Sequence, residues 1–171
     1  GWGAQNILGG LSQAFDDLSP ILMIPCGNEM NQLDMRVWDS TKNFSCVTKW
    51  SDRINSAKRI PKLFGAAYTR LRSGRPAPIL LEMMSDVVKD EIQDSDFKYE
   101  TVKGWKFQGD PRDIEIAVRA LLNAKSPVIY VGDGVLQANA CEELMKFVEF
   151  IKAPVITSIK GKSAFPENHP L

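Results

Sequence analysis

A nearly unbroken apolar run, Ile79-Leu80-Leu81-Glu82-Met83, follows a turn at Arg75-Pro76-Ala77-Pro78. A strand that lacks polar alternation is covered on both faces, the condition of a parallel sheet flanked by helices. The run therefore predicts a strand at the centre of a domain core, with Gly74 closing the helix before it. Upstream, Ile54 to Leu71 has helical periodicity: Ile60, Phe64, Ala67 and Leu71 form one stripe, and Lys58, Arg59, Lys62 and Arg70 lie largely off it. Nearer the start, Ile7, Leu8, Leu11, Ala14, Phe15 and Leu18 predict a helix over Ile7 to Asp17, entered from a glycine turn at Gly1 to Asn6. Ser19-Pro20 stops it, and Pro20 to Pro25 reads as a second buried strand. Between Cys26 and Trp50 no period is sustained, and Met30, Met35, Val37, Trp38 and Phe44 are scattered among polar residues. That predicts a long surface excursion with short elements, a kind of loop that often carries function.

Beyond the core strand the chain turns polar, with Ser85 to Glu100 rich in Asp, Glu and Lys, and a second unit then begins. Gly109-Asp110-Pro111 is a helix start, and Ile114, Ala117, Val118, Leu121 and Leu122 form that helix's apolar face. A strand at Pro127 to Val131, a turn at Gly132-Asp133-Gly134, a helix over Asn139 to Lys152 and a strand at Pro154 to Ser158 make a βαβ crossover. The expected fold class is α/β, in parallel-sheet layers. The expected domains are 1–88, a linker at 89–110, and 111–171. Each unit has few strands, and two parallel strands with one crossover helix bury little. The chain thus reads as cut at both ends, with apolar surfaces expected near Gly1 to Leu11 and Ala153 to Leu171.

Composition narrows the partners. Twenty-one basic residues balance 21 acidic ones, so no net field draws nucleic acid or an anionic membrane, and neither is expected as a partner. The three cysteines, Cys26, Cys46 and Cys141, are odd in number and have no C-x-x-C spacing, which argues against a disulfide framework or a zinc site. Reduced thiols and a cytoplasmic location are the expectation. No apolar run reaches the roughly 20 residues of a membrane span.

Three blocks carry a resemblance. GWGAQNILGGLSQAFDDLSPILMIPCG resembles the glycine-turn segment, commonly GPGATN followed by a helix and a proline-led strand, of thiamine-diphosphate-dependent enzymes of the acetolactate synthase type. VTKW and SGRPAPILLEMMSDV resemble the end of that family's N-terminal pyrimidine-binding domain. ALLNAKSPVIYVGDGVLQANACEEL, with APVITSIKGKSAFPENHPL, resembles the start of its Rossmann-like central domain. The order of the blocks is the family's, and they run the length of the chain.

The resemblance implies thiamine diphosphate and Mg²⁺ as cofactors of the complete enzyme, a 2-oxo acid substrate, and cleavage or ligation of a carbon–carbon bond next to the 2-oxo group. It also implies that the cofactor-activating glutamate, and the GDG motif with paired asparagines that binds diphosphate and metal, lie outside this sequence. No catalytic or metal residue is therefore assigned, and the chain alone is expected to be inactive. Gly1, Gly3 and Asn6 match the glycine turn and are the candidate cofactor-binding residues. Glycines permit close backbone approach, and an amide can bond ring nitrogens or substrate. Asn6 as a helix N-cap is the other reading. Trp2 replaces the family's proline, Trp38 and Asp39 stand where the synthase pattern has phenylalanine and glutamine, and Ser85 stands where it has lysine. Loss of that cation removes a partner for a second substrate's carboxylate, so substrate choice is expected to differ.

The remaining signals are assigned structural roles. Gly132-Asp133-Gly134 mimics the metal motif, but Phe150 to Gly161 holds no asparagine, so it reads as a turn. Lys49 and Trp50 read as a solvated ammonium beside a packed indole, Arg75 as a holder of its turn, and His169 as a surface loop residue. A competing reading is a non-enzymatic remnant, or a complementing subunit that binds a protein partner. In the enzyme reading the partners are other segments of the same enzyme or a homo-oligomer.

Overall fold

The computed structural model describes residues 2–32, 38–97, 100, 103 and 107–171, so Met35 and Val37 of the expected excursion lie outside the described residues. The chain divides into two compact units, Gly1–Trp105 and Lys106–Leu171.

The first unit is built on a three-stranded parallel sheet in the order β1-β3-β2, with β1 at Leu22–Met23, β2 at Trp50–Ile54 and β3 at Ile79–Met83. Ile79 is level with both Leu22 and Trp50, and Arg53 with Glu82. As the apolar run predicts, β3 is central and covered on both faces, with Ile79, Leu80 and Leu81 fully buried. Successive side chains alternate across the sheet. Ile79 and Leu81 join Ile54, Leu63 and Ala67 under helix α4 (Ile60–Leu71), while Leu80 joins Ala4, Leu11, Met23 and Phe44 on the opposite face. Burying each such side chain contributes about 1.5–3 kcal/mol. Gly74, at φ +63°, takes the left-handed turn that returns the chain from α4 toward β3.

Two elements differ from expectation. Strand β2 occupies residues read as the tail of the excursion and the start of a helix, because Trp-Ser-Asp-Arg-Ile puts polar Ser51 and Arg53 on a face that is half-buried rather than exposed. As an edge strand it has no neighbour on its outer side among the described residues, and the Arg53 amide donates to Asp52 Oδ1 at 2.7 Å instead. The expected glycine turn is instead a short helix, α1 (Trp2–Asn6), separated by Ile7 from α2 (Leu8–Asp16). Ala4, buried at 9% exposure, supplies the anchor that favours helix there. Among the described residues the excursion itself contains α3 (Ser40–Asn43) and single 3₁₀ turns at Met30–Gln32 and Ser45–Val47.

In the second unit, Asp110 caps α5 (Pro111–Asn123) by accepting from the Arg112 amide at 2.9 Å. Strand β4 (Ile129–Val131) pairs in parallel with β5 (Val155–Thr157), joined through α6 (Gly134–Gln137) and α7 (Cys141–Ile151). Val131, Val148, Ala153 and Phe165 are buried. The expected burial of the α5 stripe is not observed: Ile114, Val118 and Leu122 are exposed, because amphipathic spacing marks a face fit for burial without supplying the surface that covers it. Tyr130 and Ile156, directly paired across the strands, are likewise 72% and 56% exposed.

Candidate functional site

Helix α1 borders an apolar hollow of about 750 Å³, walled by α1, α2 and the segment from Ile21 to Cys26. Gly3 is one of its lining residues, and a Cβ placed there would meet nothing within 4 Å, so the backbone faces open space. Asn6 is exposed at the end of the same helix. It does not cap α2, whose N-cap is Ile7, a residue that makes no side-chain cap bond. Gly1 lies outside the described residues. Chemically, the wall offers apolar contact and close backbone approach. Among the described residues its lining side chains are almost all apolar.

The sheet face toward α2 and α3 carries an ionic cluster that pattern reading did not anticipate. Glu82 is 2% exposed on β3. Its Oε2 accepts from Arg53 Nε at 2.7 Å, and its Oε1 accepts from the Ser40 amide at 3.3 Å. Arg53 Nη2 also donates to Asp39 Oδ1 at 2.7 Å, and Asp39 accepts from the Lys42 amide, capping α3. Burial alone would raise the Asp39 pKa. The hydrogen bonds from Thr41, Lys42 and Arg53, and the Arg53 charge, outweigh it and hold the carboxyl below its ordinary value. Burial would likewise lower Arg53, and its bonds to Glu82 and Asp39 reverse the direction. Gly27 seals the cluster, since a Cβ there would come within 2.9 Å of Glu82 Cγ. The legible clue was Glu82 itself, a carboxylate in an otherwise apolar central strand.

Other singled-out residues are structural. Lys49 is not a solvated ammonium: its Nζ donates to the carbonyls of Arg70 and Ser73 at 2.6 Å and of Arg75 at 2.8 Å. The Lys49 side chain thus holds the turn before β3, with the Arg75 carbonyl among its acceptors. Burial, then the neighbouring Arg70 guanidinium, pulls the Lys49 pKa below its ordinary value. Trp50 packs under that guanidinium at 4.4 Å. The Ser85 amide donates to Asn28 O at 3.4 Å. Asp133 sits in the turn before α6 and accepts from Gln137 Nε2 at 2.6 Å. His169 is a packed residue, edge-on to Phe165 at 4.9 Å with Nδ1 accepting from the Leu171 amide. Among the described residues no three His, Cys, Asp or Glu side chains converge as metal ligands, and no helix is long and apolar enough to cross a membrane.

Comparison with known proteins adds the following. Residues 114–171 match the family model described as thiamine pyrophosphate enzyme, central domain. The chain is similar to the probable acetolactate synthase large subunit of Methanocaldococcus jannaschii, 33% identical over 180 aligned residues that cover 100% of this chain and 30% of the relative. It is 36% identical to the acetolactate synthase large subunit of Corynebacterium glutamicum over 130 residues, 73% of this chain and 20% of the relative. It is 34% identical to the glyoxylate carboligase of Escherichia coli O157:H7 over 125 residues, 73% of this chain and 21% of the relative. The chain thus spans no more than about a third of the length of these relatives.

Proposed function

Because the chain belongs to the acetolactate synthase-like family of thiamine-diphosphate-dependent enzymes, we propose that it is the segment of such an enzyme that holds the aminopyrimidine end of the cofactor. In this reading residues 1–88 are the later part of the pyrimidine-binding domain, 89–110 a linker, and 111–171 the first part of the central domain. The observation that carries the proposal is the apolar hollow bordered by α1, with Gly3 in its wall; Asn6 ends that helix beside the lining residue Ile7 and is not itself in the lining. Gly1 and Gly3 let the backbone approach the ring, and the Asn6 amide hydrogen-bonds a ring nitrogen or the substrate. When bound, thiamine diphosphate supplies the electron sink for making or breaking a carbon–carbon bond next to a 2-oxo group. This chain's residues bind and orient. The proton-moving carboxylate and the Mg²⁺ ligands come from other segments or from a partner copy, in a cytoplasmic oligomer.

The test has two arms. The chain alone, given thiamine diphosphate, Mg²⁺ and pyruvate, neither binds the cofactor tightly nor turns over, and turnover by the chain alone overturns the proposal. In an enzyme completed with a relative's remaining segments, Asn6→Ala weakens thiamine diphosphate about tenfold, measured by titration of the apoenzyme, and an unchanged affinity removes Asn6 from the site. A second reading, a complementing subunit that docks on a protein partner, draws on the exposed Tyr130, Ile156 and α5 residues. It predicts assembly with the missing segments without any effect of Asn6→Ala on activity.

A further inference from the structure

Among the described residues Glu82 is the one ionisable group buried to 2% exposure. A buried ion pair is a weak stabiliser, because desolvation offsets the attraction, but it fixes where its partners sit. Glu82 and Arg53 are level across β3 and β2, and between them they grip α3 at two points: Oε1 takes the Ser40 amide, and Arg53 takes the capping Asp39. The C-cap of helix α3 is Phe44, which is fully buried in the same cluster as Ala4 of α1 and Leu11 of α2. Trp38, just before the cap, packs against that cluster and stands edge-on to Phe44 at 6.1 Å.

We propose that Glu82 and Arg53 are positioning residues for α1: they lock α3 to the sheet, and through Phe44 and Trp38 they set the floor on which Ala4 rests and hence where Gly3 and Asn6 are presented. Its functional meaning rests on the reading of α1 as the cofactor-facing segment. The geometric claim is independent of any cofactor. The shared cluster of Phe44, Leu11, Leu80 and Ala4 carries the coupling, so a change in the carboxylate on β3 is felt at α1.

The test uses the full 171-residue chain, labelled with ¹⁵N at tryptophan and asparagine, and the Asn6 signal is assigned by its loss in Asn6→Gln. Glu82→Gln keeps the shape of the side chain and removes its charge. The expected result is movement of both the Trp38 indole resonance and the Asn6 side-chain amide. Leu63→Ala, which opens a cavity on the opposite sheet face, serves as a destabilised control and leaves both signals in place. The double variant Glu82→Leu with Arg53→Met removes both charges of the buried pair and leaves Asp39 its bonds from Thr41 and the Lys42 amide, and so keeps the measurement possible where the single change unfolds the chain. It too is expected to shift Asn6. Shifts confined to residues 38–44 with Asn6 unmoved, or equal movement in Leu63→Ala, overturn the proposal. Since no cofactor enters this readout, it fails separately from the cofactor reading, which Asn6→Ala tests by affinity.

Discussion

Replacing Lys49 by methionine removes one cation from three backbone carbonyls. The ammonium ties the last turn of α4, at Arg70 O, to Ser73 O and Arg75 O on either side of the left-handed Gly74. Hydrogen bonds to a charged group contribute about 1.5–3 kcal/mol each. Burying the ammonium opposes this, as its lowered pKa reflects. The expected net loss is therefore about 2–3 kcal/mol rather than the sum of three bonds. Methionine retains the packing of the stem, so the change isolates the charged head. Urea unfolding followed by tryptophan fluorescence reads the loss as a lower midpoint at unchanged slope. Lys42→Met is the comparison, because Lys42 is 85% exposed and only 3.7 Å from Asp39; it is expected to stay within about 0.5 kcal/mol of the parent. If Lys49→Met falls in that same narrow range, the three short bonds do not hold the turn and the reasoning is refuted.

Acid should reveal the Asp39 cluster. Its folded pKa lies below the ordinary value, so its stabilising contribution is complete above the unfolded value of 3.8 and is lost as pH falls through the folded one. Asp39→Asn should flatten the decline in urea midpoint below about pH 4, and an undiminished decline would assign the acid sensitivity to other groups. Gly161→Ala should destabilise the second unit by about 3 kcal/mol, because its Cβ would sit 2.5 Å from Val131 O and 2.9 Å from Gly132 C, both backbone atoms that cannot swing aside. Thermal melting with amide exchange at Val131 checks it, and parent-like protection there contradicts the predicted clash.

The sequence revealed apolar blocks well and polar interiors poorly. Run length alone placed β3 and its two covered faces, and Asp110-Pro111 marked the start of α5 to the residue. Strand β2 was hidden because its inward-facing Ser51 and Arg53 are satisfied by residues distant in sequence: Ser51 by Thr41 O, and Arg53 by Asp39 and Glu82. Periodicity records hydrophobicity, so a strand whose buried side is polar gives no such signal. Lys49 was misread for a related reason, since its acceptors are main-chain carbonyls 21 to 26 positions away and carry no side-chain signature. At α1 two glycines suggested a turn, and only the tertiary seat of Ala4 shows why helix prevails.

The bond from the Arg53 amide to Asp52 protects the β2 rim of the first sheet. A neighbouring chain that sought to continue the sheet beyond β2 would have to displace that carboxylate. Growth of the layer at that rim is thus opposed. The carboxylate acts there as a guard against stacking into an endless ribbon.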